Sequence, residues 1–115
     1  MIIPKQGDIY LVSLDPTIGT EMSKTRPGVI VSNNSANKCS SRISIAPITS
    51  ANVGKVYPFE VLLPATPETG LNSDSKVACD QVRSIDKQRL VIKLGSVNQE
   101  LLEKIKGALR LHFAI

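Results

Sequence analysis

Apolar positions recur along this chain with two different periods, and the change from one to the other divides it. From Asp8 to Leu14, "DIYLVSL", apolar and aromatic residues crowd together between Gly7 and the Asp15-Pro16 pair, the pattern of a strand bounded by turn residues. Val29 to Ser32 is a short apolar run of the kind a strand buried on both faces presents. Arg42 to Ile48, "RISIAPI", alternates with period two, and its Pro47 predicts an edge position or a bulge. Thr49 then falls where this strand gives way to a loop. Phe59 to Leu63, Ser75 to Val82 and Val91 to Ser96 continue the series, the second of them delivering Asp80 and Gln81 near its far end. Within "SIDKQRL" the spacing predicts one helical turn capped by Asp86.

From Asn98 the period lengthens to that of a helix. Leu101, Leu102, Ile105, Ala108, Leu109, His112, Phe113 and Ile115 share one broad stripe, while Glu100, Glu103, Lys106, Gly107 and Arg110 take the other side. Asn98 suits the N-cap and Glu100 the first turn, where the helix dipole favours negative charge. Leu111 falls off the stripe, as if a partner chain covered it. Five or six short strands followed by one helix predict a mainly β fold with a C-terminal α-helix, built as a small barrel or strongly bent sheet.

The connections are informative too. "DPTIGTEMSKTRPG" carries two prolines and two glycines, and structureless loops longer than about a dozen residues are uncommon unless functional. It ends on Lys24 and Arg26, immediately before the predicted β-branched strand. "NNSANKCSS" reads as turn and loop chemistry. No repeat or low-complexity tract interrupts the order, and the 115 residues form one domain, 1–115.

Composition narrows what such a domain does. Fourteen Lys and Arg against ten Asp and Glu leave a net charge of +4, which favours a polyanionic partner, nucleic acid first. With only Tyr10, Tyr57, Phe59 and Phe113 as aromatic residues, base stacking is at most a minor part of any grip on a strand. Cys39 and Cys79 have neither C-x-x-C spacing nor a neighbouring histidine, so zinc and thioredoxin-like chemistry are not indicated. The start has no signal-peptide pattern and no segment approaches a membrane span, which points to the cytoplasm.

His112 is the sole histidine. Two-histidine acid–base cleavage of phosphodiesters and histidine-rich metal sites are therefore excluded, and the position of His112 inside the apolar stripe points to a core or interface role. No serine-nucleophile or P-loop pattern is present. Guanidinium, hydroxyl, carboxylate and amide chemistry remain, and an arginine that grips a phosphate with two parallel hydrogen bonds suits a reaction on a polyanion.

"GDIYLVSLDPTIGTEMSKTRPGVIVSNN", "IAPITS", "CDQVRSIDKQRL" and "ELLEKIKGALRLHFAI", in that order and over nearly the whole chain, resemble the MazF/PemK family of toxin endoribonucleases. The resemblance implies an SH3-like barrel related to that of CcdB, paired as a homodimer. It further implies a toxin of a type II toxin–antitoxin system that cuts single-stranded RNA at short sequences without a metal or other cofactor. The 2′-hydroxyl attacks, leaving a 2′,3′-cyclic phosphate and a 5′-hydroxyl. A MazE-like antitoxin is the implied protein partner, with DNA met only through the toxin–antitoxin complex and no membrane involved.

Carried over by position, the family's catalytic arginine falls on Arg26 in "KTRP" and its hydroxyl on Thr49 in "PITS". Glu21 matches an acidic loop position that touches RNA or assists the cut, beside Thr20. Asp80 and Gln81 match a pair near the substrate groove that suits base edges. Lys24, Lys55, Lys76 and Arg83 are candidates for a phosphate track. Gly28 departs from the commoner valine or alanine and is expected to loosen the strand start. Two other readings stay open at this point: a toxin of the same fold that inhibits DNA gyrase, and an RNA-binding protein that does not cut.

Overall fold

The computed structural model describes residues 3–16, 18–21 and 24–115. Among the described residues, one antiparallel seven-stranded sheet carries β1 (Asp8–Ser13), β2 (Thr25–Ile30), β3 (Arg42–Thr49), β4 (Glu60–Leu63), β5 (Ser75–Ala78), β6 (Arg83–Asp86) and β7 (Leu90–Ser96). Helix α1 (Asn34–Cys39) follows β2, and helix α2 (Gln99–Phe113) ends the chain. The spatial order is β4-β5-β3-β2-β1-β7, with β6 also paired to β3. The sheet is therefore barrel-like without closing.

Side chains alternate across the sheet and both faces are apolar, so two cores form. On one face Ile9, Val29, Ala46, Ile48, Val61 and Val77 meet Ile105 and Ala108 of α2. On the other, Tyr10, Val12, Leu14, Ile30, Ile43 and Ile45 pack with Ile85 of β6. The C-terminal stripe holds over its first three turns and then runs past the sheet. His112 is exposed, which leaves the interface half of the expected core or interface role, and Leu111, Phe113 and Ile115 are 58%, 53% and 85% exposed.

Several elements differ from the sequence reading for identifiable reasons. Strand β2 begins at Thr25, four residues before the apolar run, because Thr25, Arg26, Pro27 and Gly28 pair with Ser13, Val12, Leu11 and Tyr10. The segment from Asp15 is thus a shorter loop, of which residues 17, 22 and 23 lie outside the described residues. Helix α1 occupies the stretch read as loop: Asn33 caps it by accepting from Ala36 N–H at 2.8 Å, and Asn37 is buried against Ser32. Its Cys39 is exposed, whereas Cys79 is buried. Pro47 lies in the central strand rather than at an edge. Its missing donor does no harm there, because β3 pairs with β6 through Ile45 and with β5 from Ile48, and Pro47 sits at the handover.

Candidate active site

Arg26 and Thr49 stand where a core face runs out. Along β2 the residues Ile30, Gly28 and Arg26 share one face, as do Ile43, Ile45, Pro47 and Thr49 along β3. The first members of each series are core and the last are polar. The β2–β3 pairing is Ile30 with Ile45, Val29 with Ala46 and Gly28 with Pro47. Continued for two more residues, it sets Arg26 opposite Thr49.

The ladder stops before that point, and Pro27 supplies the reason. Val31 N–H bonds to the Ser44 carbonyl, so odd-numbered residues of this segment turn their backbone groups toward β3. Pro27 has no N–H to offer there. Where the bonds cease, a cleft of about 360 Å³ opens, lined by Arg26, Pro27, Ile48, Thr49 and Ser50 on one side and by Leu71, Asn72, Ser73 and Ser75 on the other. Both Arg26 and Thr49 are half-buried. Thr49 Oγ1 accepts from Ala51 N–H at 3.1 Å, which orients the hydroxyl and leaves its O–H as a donor.

A second depression of about 200 Å³ lies on the same sheet face at Pro47, lined by Glu21, Asp80, Gln81, Val82 and Arg83. Asp80 and Gln81 stand on a 3₁₀ turn (Cys79–Gln81) rather than on the predicted strand, which ends at Ala78. The carboxylate of Glu21 accepts Ile18 N–H at 2.7 Å, closing its own turn, and is separated from the Arg26–Thr49 cleft. Thr20 and Lys24 are exposed in the same loop. Lys24 adopts φ 66° and is held by its N–H to Asp15 Oδ1 at 2.8 Å, so the chain enters β2 through a fixed turn.

Two arginines secure this loop from beneath. Arg89 Nη1 donates to the carbonyls of Ser13 and Asp15 at 3.1 and 2.6 Å, and Arg83 Nη1 reaches the Leu14 carbonyl at 3.4 Å. Arg89 thereby holds the strand end from which the loop departs. Arg83 is half-buried and borders the second depression. Lys76 departs further from expectation. Its side chain is 6% exposed, with the ammonium 3.0 Å from Glu60 and donating to the Lys55 carbonyl at 2.9 Å, so it is not available to a surface phosphate. Lys55 is exposed.

Gly28 fits without strain, since a Cβ there would meet Val12, Ile45 and the Ala46 carbonyl at ordinary contact distances of 3.4–3.5 Å. The expected loosening is offset by pairing on both sides, with Tyr10 and with Pro47. Among the described residues no group of three or more His, Cys, Asp or Glu gathers as a metal site, and no helix is long and apolar enough to cross a membrane.

A family profile described as the PemK-like, MazF-like toxin of type II toxin–antitoxin systems matches residues 5–113. The chain belongs to the PemK/MazF toxin family. It is similar to endoribonuclease MazF9 of Mycobacterium tuberculosis, 44% identical over 113 residues and 94% of each chain. Endoribonuclease EndoA of Bacillus subtilis is 32% identical, covering 99% of this chain and 97% of the relative. The crystal structure of MazF (Form-I) from Deinococcus radiodurans superposes over the whole of both chains with a TM-score of 0.86 at 27% identity. A MazE–MazF structure (Form-II) from the same organism gives a TM-score of 0.78 at 27% identity, covering 100% of this chain and 99% of that one. As a MazF-like endoribonuclease toxin, this member of the PemK/MazF family carries its arginine and threonine at the mouth left open by Pro27.

Proposed function

We propose that this toxin cuts single-stranded RNA at short sequences, without a metal, by attack of a 2′-hydroxyl on the adjacent phosphate. The P–O2′ bond forms, the P–O5′ bond breaks, and the 2′-hydroxyl proton ends on the departing 5′-oxygen, leaving a 2′,3′-cyclic phosphate and a 5′-hydroxyl. The observation that carries this reading is the juxtaposition of Arg26 and Thr49 in one cleft. Negative charge grows on the non-bridging oxygens during the displacement. A fixed guanidinium and a hydroxyl donor, both half-buried, stabilise that charge more than they stabilise bound substrate.

The adjoining depression suits the neighbouring nucleotide: the Gln81 amide bonds base edges, the Asp80 carboxylate accepts from amino groups, and Glu21 lines the same depression. Exposed Lys24 and Lys55 supply positive charge for phosphates. The uncovered apolar end of α2 supports a homodimer, and the MazE–MazF complexes of relatives support an antitoxin as the protein that silences the cleft.

The test is cleavage of a diverse RNA pool in chelator, with fragment 5′ ends mapped. Discrete sites are expected, and Arg26→Ala should lower turnover about a hundredfold or more while RNA binding persists. Intact RNA in the wild-type reaction, or full turnover by Arg26→Ala, would sink the reading.

A further inference from the structure

The buried ion pair beside the cleft takes no part in the chemistry above. Lys76 pairs across the sheet with Thr49. Its ammonium turns under the loop that follows Thr49, bonding Glu60 Oε1 at 3.0 Å and the Lys55 carbonyl at 2.9 Å. The same Glu60 oxygen accepts Tyr57 N–H at 3.0 Å. Both side chains are nearly removed from water, at 6% and 9% exposure. Burying two charges is costly, and apolar residues of equal volume are often no less stabilising. What the pair supplies is position.

The residues it positions are unusual for this chain. Two of its four aromatic rings, Tyr57 and Phe59, lie parallel here with centroids 5.4 Å apart. The Lys55 ammonium is 5.1 Å from the Tyr57 centroid, and Tyr57 remains 44% exposed. A half-exposed ring contributes only part of its area to the core. A parallel ring stack beside an exposed ammonium is instead the set of groups that holds an unpaired base by its π face and the adjoining phosphate by charge.

We propose that Lys55, Tyr57 and Phe59 form a base-stacking ledge for the RNA strand whose scissile phosphate occupies the Arg26–Thr49 cleft, with the Lys76–Glu60 pair holding the ledge in place. This rests on the RNA-cleaving reading and extends it to a nucleotide on the Thr49 side of the cut. The base joins the stack at Tyr57, and Lys55, being exposed, moves from the ring to the phosphate. An acidic protein segment could also meet the charge, but RNA offers a flat ring and an anion in every unit, which matches a ledge of rings plus a lysine.

Tyr57 also makes the ledge measurable. The chain has no tryptophan, and Tyr10 is buried, so a change in tyrosine emission on adding RNA reports on Tyr57. Target RNA carrying a 2′-deoxy nucleotide at the mapped cut should quench wild-type emission and leave that of Tyr57→Phe unchanged, with equal affinity. Tyr57→Leu should bind about tenfold or more weakly. Lys55→Ala should reduce the slope of log affinity against log salt by about 0.7. The neutral pair Lys76→Met with Glu60→Gln should unfold at the wild-type temperature and bind as weakly as Tyr57→Leu; full affinity there removes the positioning role. Unquenched emission together with wild-type affinity in Tyr57→Leu overturns the ledge while leaving cleavage standing, whereas absence of cleavage by the wild type strikes the parent reading. If Tyr57→Leu spares RNA but weakens binding of an acidic antitoxin peptide, the ledge belongs to a protein partner and the proposal falls.

Discussion

A proline that turns its absent donor toward a neighbouring strand removes one ladder bond, and at Pro27 that omission coincides with the mouth of the cleft. One residue thus both restricts the backbone of Arg26 and ends the pairing of its strand with β3 beside Thr49. Cys79 shows a second single-residue effect. Burial, with the charges of Asp80 and Glu60 behind it, pushes its thiol up to about 12. An acid whose folded value lies above its unfolded one contributes fully below the ordinary thiol value, about 8.5, and loses that contribution as pH climbs toward the folded value. Urea midpoints measured at neutral pH and near pH 10 should therefore fall for the wild type, and the drop should be smaller in Cys79→Ala; parallel losses would contradict the assignment. At this scale Arg26 and Thr49 were legible as members of ordered motifs. Lys76 was not, because a lysine between Ser75 and Val77 reads as surface until the loop carrying Lys55 is seen folded over it.

Elements succeed or fail as readings according to how much of their pattern lies in side chains. β1, β3 and α2 announce themselves by apolar period. β6, "RSID", offers one apolar residue, Ile85, and takes its strand form from pairing with Arg42–Ile45. α1 has no apolar stripe to show, and its Asn33 cap is of a residue type that turns share. A close backbone approach is likewise invisible in sequence. Gly70, at φ 68°, faces the backbone of Leu94, and Gly95 of β7 faces the carbonyls of Glu68 and Thr69; a Cβ at either would collide with main-chain atoms. Thr69 Oγ1 braces that bend by donating to the Pro64 carbonyl at 2.9 Å, and Ser96 N–H bonds the Glu68 carbonyl at 2.8 Å. Gly95→Ala should thus cost about 3 kcal/mol or more, read as a lowered urea midpoint, because backbone rather than a flexible side chain must yield. A loss below about 1 kcal/mol would mean that the two segments can part freely.

At the scale of the molecule, two cores account for a chain of this length, yet the C-terminal end leaves Phe113 and Ile115 in water beside Val31 and Leu109. Contiguous apolar surface at a helix end marks an association site. A second copy of the chain is the occupant in keeping with the homodimer proposed above. Phe113→Glu should shift the sedimentation velocity profile toward monomer at micromolar concentration, while far-ultraviolet circular dichroism stays that of the wild type. An unchanged profile would place the contact elsewhere, with exposed Val91 and Ile92 of the β7 edge next in line.

Cys39 sits just before the strand that ends at Thr49, and that 8-residue strand spans roughly 25 Å. With the other thiol buried, the toxin carries one addressable sulfur at the opposite end of β3 from its cleft. A maleimide dye or a chip linker attached there would therefore orient every molecule the same way, with the Arg26–Thr49 end facing the solution.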